Sequence, residues 1–197
     1  MSTTLTRPVI LASSSPYRRE LLARLRVPFD VVAPDVDETP AAHEGPQQLA
    51  CRLAMSKARA VSAQYPKSIV VGSDQVADLG GEAIGKPLTH AVAVAQLRRM
   101  RGQLVIFHTA VAVVCEASNF AQVDLAQARV RFRKLDDAEI EAYLLAEQPY
   151  DCAGSAKSEG LGIVLLDAID SDDPTALVGL PLIRTCRMLR AAGLTLP

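Results

Sequence analysis

The chain lacks an excess of either charge. Its 21 Lys and Arg residues are matched by 22 Asp and Glu, for a formal net charge of −1. That balance gives no broad electrostatic footprint for nucleic acid or an anionic membrane, so any anion site has to be local. Long hydrophobic runs are also missing: stretches such as 110–115 are far too short to span a bilayer. Only four apolar residues precede the serines near the start, which is too little for a secretory leader, and a cytoplasmic setting is expected. The four cysteines, Cys51, Cys115, Cys152 and Cys186, are widely spaced with no C-x-x-C. They fit neither a zinc site nor a disulfide framework and read as reduced thiols. Repeats and low-complexity linkers are absent, so 197 residues, 49% hydrophobic, are expected to bury one core as a single domain spanning 1–197, with two lobes.

What is present is an alternation of strand and helix signals, which argues for an α/β domain. Strands are expected at 9–12, 29–33, 68–78, 104–115 and 126–133. Helices are expected over 16–25, over 46–64 with Pro46 at the first helical position, and from Thr89 to the Arg98, Arg99, Arg101 and Gly102 stop. The stretch 79–88 reads as a turn-rich loop. Asp136 and Glu139 form a capping box with Leu135 stapled onto Ile140, 152–166 reads as a loop entering a strand, and a last helix closes at Gly193.

One of these helix starts departs from the rule. In LASSSPYRRELLARL, residues 11–25, Ser15 is placed to cap and Pro16 to occupy the first position, yet the first turn carries Arg18 and Arg19 and no carboxylate. The positive end of the helix dipole favours anions. Bare N–H groups, serine hydroxyls and guanidinium forks therefore suit a phosphate. Taken alone, Ser15 merely capping a helix whose arginines face solvent explains the segment equally well.

Three further features bear on that choice. Asp35, Asp37 and Glu38 follow a short strand, a pattern also common to solvated turns. Asp74 is expected just past the end of an apolar strand, where α/β sheets gather ligands, and a carboxylate there can hold a divalent cation or orient water. Lys57 shares the face of Leu53 and Val61, so it either snorkels over the core edge or reaches a cleft. Lys86 sits in a rigid Gly-Lys-Pro turn. Lys157 lies among small residues that let backbone approach a ligand. The three histidines, His43, His90 and His108, fall outside every motif.

The ordered set S-x-S-P-x-R-R, V-D-E, S-D, G-K-P and A-G-S-x-K-S-E-G, covering about 9–189, resembles the Maf family of nucleoside triphosphate pyrophosphatases. The resemblance implies a mixed, twisted α/β sheet flanked by helices, with a deep groove between two lobes. It implies metal-dependent hydrolysis of a nucleotide's α–β phosphoanhydride and a homodimer as a common state; Mg²⁺ or Mn²⁺ is the cofactor expected, since hard divalent ions take one or two carboxylates with phosphates and waters, and the charge balance argues for no nucleic-acid or membrane partner. Asp74 matches the family's proton acceptor. Ser13, Arg18, Glu38, Lys57 and Lys86 match positions associated with phosphate, metal or catalysis, with Glu38 and Asp74 as metal ligands; Ser15, Arg19 and Lys157 are further phosphate candidates.

Tyr17, Gln75 and Glu159 are similar to the specificity trio of the branch acting on 7-methyl-GTP, with tyrosine where that branch often has tryptophan. The branch acting on dTTP and UTP carries other residues there. Methylation makes the base cationic, and an aromatic face attracts a cation by roughly 0.5–2 kcal/mol. An ionised Glu159 can accept two N–H donors of guanine, and Gln75 can read a carbonyl, although the two roles are interchangeable. A phosphatase releasing terminal phosphate and a non-catalytic nucleotide-binding module are the rival readings. Two carboxylates beside a phosphate site argue against the module.

Overall fold

The computed structural model describes residues 7–196; the leader reading of residues 1–6 lies outside them. β1 (Val9–Ala12) is four consecutive buried residues, the pattern of a strand covered on both faces. It pairs in parallel with β2 (Phe29–Val32) on one side and with β3 (Ile69–Leu79) on the other. Beyond β3 the sheet turns antiparallel through β5 (Leu104–Cys115), β6 (Phe120–Phe132) and β7 (Leu166–Ser171), with the short β4 (Glu82–Ile84) against the far end of β3. The seven strands form a mixed sheet in the order β2-β1-β3-β5-β6-β7, with β4 off that path.

Among the described residues five helices flank the sheet: α1 (Pro16–Ala23), α2 (Pro46–Ser62), α3 (His90–Met100), α4 (Asp137–Glu147) and α5 (Leu182–Ala191). Helical spacing of apolar residues decides which face each buries. Leu49, Leu53, Ala54, Ala58 and Val61 of α2 pack on Val70, Ala110 and Ala112. Leu21 and Leu22 of α1, with Met188 and Leu189 of α5, pack on Leu11, Val71 and Val111. Leu97 and Met100 of α3, with Ile140 and Leu144 of α4, surround Phe107 and Phe132. No helix among the described residues is long and apolar enough to cross a membrane.

Two stretches differ from the sequence reading. The expected loop at 79–88 contains β4, because Gly80 and Gly81 (φ 64° and 94°) turn the chain and the Gly81 N–H donates to Asp78 Oδ1 at 2.6 Å. Glycines with positive φ are what a tight hairpin turn requires. β6 starts at Phe120 rather than 126. Its first residues are mostly exposed and carry little alternation, but each is paired to the buried β5, so tertiary pairing overrides local pattern. The loop before β7 also contains two 3-10 turns, at Ala153–Ser155 and Leu161–Leu165.

Candidate active site

β1 ends on Ala12, and the next residue, Ser13, is buried. Its Oγ accepts the Ser15 N–H at 3.1 Å, and Ser15 Oγ in turn accepts the Arg18 N–H at 3.4 Å, capping α1. No acidic residue stands in the first turn of α1. The first turn of α4 has Asp137 and Glu139 there, with a full capping box. α1 thus presents its positive end with no anion of its own. Arg18 does not point idly into solvent: its Nε donates to the Gly179 carbonyl at 2.8 Å. Arg19 is exposed, whereas Arg18 is partly buried, so the structure separates the two arginines.

The second part of the site comes from a close approach of α2 to β3. A Cβ on Gly72 would lie 2.4 Å from the Ala54 carbonyl oxygen and 2.7 Å from the Ala58 nitrogen. Only glycine permits that contact, and Ala54 and Ala58 keep the helix side thin. The approach brings Lys57 over β3, where its Nζ lies 2.6 Å from Asp74 Oδ1 and 2.7 Å from Glu38 Oε1. Lys57 and Asp74 are both buried. One ammonium therefore gathers the two carboxylates that the sequence marked as a pair.

Glu38 reaches this point on the loop 33–45, which is held by Arg52 of α2. Arg52 forks onto Glu44 at 2.6 and 2.8 Å and donates from Nη2 to the Thr39 carbonyl at 3.0 Å. Hydrogen bonding from Arg52 holds the Glu44 carboxyl down at about 2. A carboxylate whose folded pKa lies below its unfolded value stabilises the fold above the unfolded pKa and loses that contribution as pH falls toward the folded one. Thermal melts from pH 7 down to pH 2 are expected to drop more steeply for the wild type than for Glu44→Gln below about pH 4. Parallel curves would remove Glu44 from the account.

Around Lys57 the charges act on one another. Partial desolvation raises the Glu38 pKa, but the Lys57 hydrogen bond and the charges of Lys57, Lys86 and Arg18 outweigh it, and the net shift is downward. Desolvation draws the Arg18 guanidinium below its usual value, opposed by Asp74 and Glu38. Arg18, Glu38, Lys57, Asp74 and Lys86 thus share one field, with three cations to two anions.

Lys157 is placed elsewhere. Its Nζ pairs with Glu147 Oε1 at 2.8 Å and stands 5.7 Å from the centroid of the Tyr17 ring. The Tyr17 hydroxyl has the Cys152 Sγ at 4.0 Å, and Asp151, Cys152 and Glu159 all act on it, after desolvation, to raise its pKa. Glu159 also has a raised pKa, mainly from desolvation. It lines a cleft of about 330 Å³ with Ile169, Pro174 and Leu177. Gln75 sits beneath the same loop, and its Nε2 donates to the carbonyls of Ala176 (3.0 Å) and Leu177 (2.9 Å). Its amide nitrogen, which also donates to Thr109 Oγ1 at 3.0 Å, thus holds the cleft wall in place. Tyr17, Lys157 and Glu159 form a second group, joined to the first through the Tyr17–Arg18 step in α1.

The sequence reading missed the segment that closes both groups. The Gly179 carbonyl accepts from Arg18 Nε and from Ser73 Oγ, the latter at 3.0 Å. Asp173 is fully buried and accepts the Ile183 and Arg184 N–H groups at 3.0 and 3.3 Å, capping α5 from a distance. Gly-Leu-Pro at 179–181 was the available signal. Of the histidines, His108 is buried against Asp78 at 3.0 Å, His90 bonds Tyr150 and Glu141, and His43 is exposed; none joins either group.

The family model described as Maf-like protein matches residues 8–192. A protein of Albidiferax ferrireducens named 7-methyl-GTP pyrophosphatase is 73% identical over 194 residues, covering 98% of each chain. Proteins of the same name from a Polaromonas species and from Aromatoleum aromaticum are 68% and 58% identical, over 97% and 96% of this chain and 87% and 97% of theirs. A family match of that length, with identities this high from end to end, leaves one assignment: the chain belongs to the Maf-like protein family.

Proposed function

We propose that this protein hydrolyses the α–β phosphoanhydride of 7-methyl-GTP, giving the nucleoside monophosphate and pyrophosphate. The observation that carries the reading is the pairing of an uncompensated α1 N-terminus and Arg18 with the Glu38–Lys57–Asp74 group, all beside an aromatic ring at Tyr17. Arg18, Lys57, Lys86 and the α1 amides, with Ser13 and Ser15, bind the triphosphate oxygens. Arg19, which is exposed, and Lys157 are further phosphate candidates. Asp74 accepts a proton from the water that attacks the α-phosphorus, the bond to the bridging oxygen breaks, and pyrophosphate departs. The protein's contribution is mainly positioning and charge stabilisation.

Among the described residues no three His, Cys, Asp or Glu side chains cluster as a self-sufficient metal cage. Two carboxylates meeting at one point nevertheless fit Mg²⁺ or Mn²⁺, which take one or two carboxylates and complete their shell with phosphate oxygens and water. Glu38 and Asp74 would hold the ion, and when bound it would neutralise phosphate charge. On the base side, Tyr17 supplies a face for a cationic ring and Glu159 accepts N–H donors. Gln75 Oε1 shares that edge. A single domain over the chain, a cytoplasmic setting and a homodimer belong to the same proposal.

The test is a nucleotide panel with Mg²⁺: 7-methyl-GTP, GTP, dTTP and UTP, each scored for pyrophosphate and orthophosphate. Pyrophosphate released with the highest kcat/KM on 7-methyl-GTP is expected. A preference for dTTP or UTP moves the protein to the pyrimidine branch, orthophosphate makes it a phosphatase, and binding without turnover makes it a regulatory module.

A further inference from the structure

Glu147, the last residue of α4, was not marked by any motif, yet it occupies the centre of the base-side group. One carboxylate oxygen, Oε2, accepts the Leu161 N–H at 2.7 Å; the other, Oε1, pairs with Lys157 Nζ at 2.8 Å. Its side chain is only 14% exposed. The loop is shaped around it: a Cβ on Gly160 would meet Glu147 Oε2 at 2.8 Å, and a Cβ on Gly162 would meet the Lys157 carbonyl oxygen at 2.5 Å. The Lys157 N–H is fixed by the Tyr143 hydroxyl at 3.1 Å, and its carbonyl accepts from Gly160 and Gly162 at 3.1 and 3.0 Å. The loop carrying Lys157 and Glu159 is thus clamped to α4 through the Glu147 carboxylate and the Tyr143 hydroxyl.

The cation held by that carboxylate stands over the Tyr17 ring. This poses a problem for a positively charged base, since an uncompensated ammonium on the same ring repels it. Glu147 cancels that charge. Resting on the 7-methyl-GTP reading above, we infer that Glu147 is a positioning residue for base selection: by neutralising Lys157 at the edge of Tyr17, it lets a cationic base share a ring that already has an internal cation. A neutral guanine is indifferent to the balance; a methylated one is not.

Glu147→Gln keeps an oxygen for the Leu161 N–H and removes only the charge. The variant is expected to lose about tenfold in kcat/KM for 7-methyl-GTP through KM, the size of one ring–cation interaction, while GTP changes by less than about twofold. Adding Lys157→Met restores charge neutrality, so the double variant is expected to recover the wild-type ratio of 7-methyl-GTP to GTP, a coupling that a merely structural role would not produce. Equal losses on both nucleotides, or a ratio the double variant fails to recover, overturn the inference and leave the 7-methyl-GTP reading standing. A wild type that does not favour 7-methyl-GTP over GTP overturns that reading, and this inference with it.

Discussion

Asp74→Asn is expected to fold and to lose about 100- to 10,000-fold in turnover, the usual contribution of a positioned general base. The fold should tolerate the change because the amide oxygen still accepts from Lys57, and Lys57 keeps Glu38 at 2.7 Å as its second partner. No buried cation is left alone, which is what makes the loss of one member of a buried pair expensive. Removing the cation instead would strand a buried Asp74, so the asparagine variant is the cleaner probe of chemistry. Pyrophosphate release under saturating substrate, read beside a thermal melt, separates the two effects. Turnover near the wild-type value would mean that the attacking water gives its proton to another group, with Glu38 the next to try.

The largest structural effect is expected at a residue with no side chain. In Gly72→Ala the new methyl would sit 2.4 Å from a helix carbonyl oxygen and 2.7 Å from a helix nitrogen. Both are backbone atoms and cannot rotate away, so α2 has to lift from β3. Overpacking of this kind costs about 1–3 kcal/mol, which for a domain of this size lowers the melting temperature by about 2–12 °C. Lifting α2 also withdraws Lys57 from Asp74, so kcat should fall together with stability. A Gly72→Ala protein that melts and turns over like the wild type would show that the helix does not need the approach.

Those two residues also show what a sequence can and cannot disclose. Asp74 was legible because it stands in a recognisable order of motifs; its expected place past the end of an apolar strand is corrected by β3, which runs on through Leu79 and pairs Asp74 with Ala110 of β5. The bare α1 start was legible because capping is decided within four residues, and the structure places Ser15 and Pro16 as read. Lys57 was left between two interpretations, core edge or cleft. Only the packing of α2 on Gly72 decides it, by seating the ammonium between the two carboxylates. Gln75 was marked for the base, but nothing local tells that its amide nitrogen donates to carbonyls 101 and 102 residues away. Glu147 gave no signal, since a carboxylate at a helix end looks like any solvated residue until a loop wraps it. β4 and the first half of β6 escaped for the same reason: their pairing partners, not their own alternation, make them strands.

The Gly179 carbonyl has a consequence for biosynthesis. It accepts from a side chain 161 residues earlier in the chain, and the acceptors of Gln75 lie only a few residues before it. Arg18 is aimed by the Gly179 carbonyl and Gln75 by the Ala176 and Leu177 carbonyls, so a nascent polypeptide still lacking residues 176–179 lacks the acceptors that aim both side chains. Competence should therefore arrive late and all at once on the ribosome, not in stages as each strand emerges.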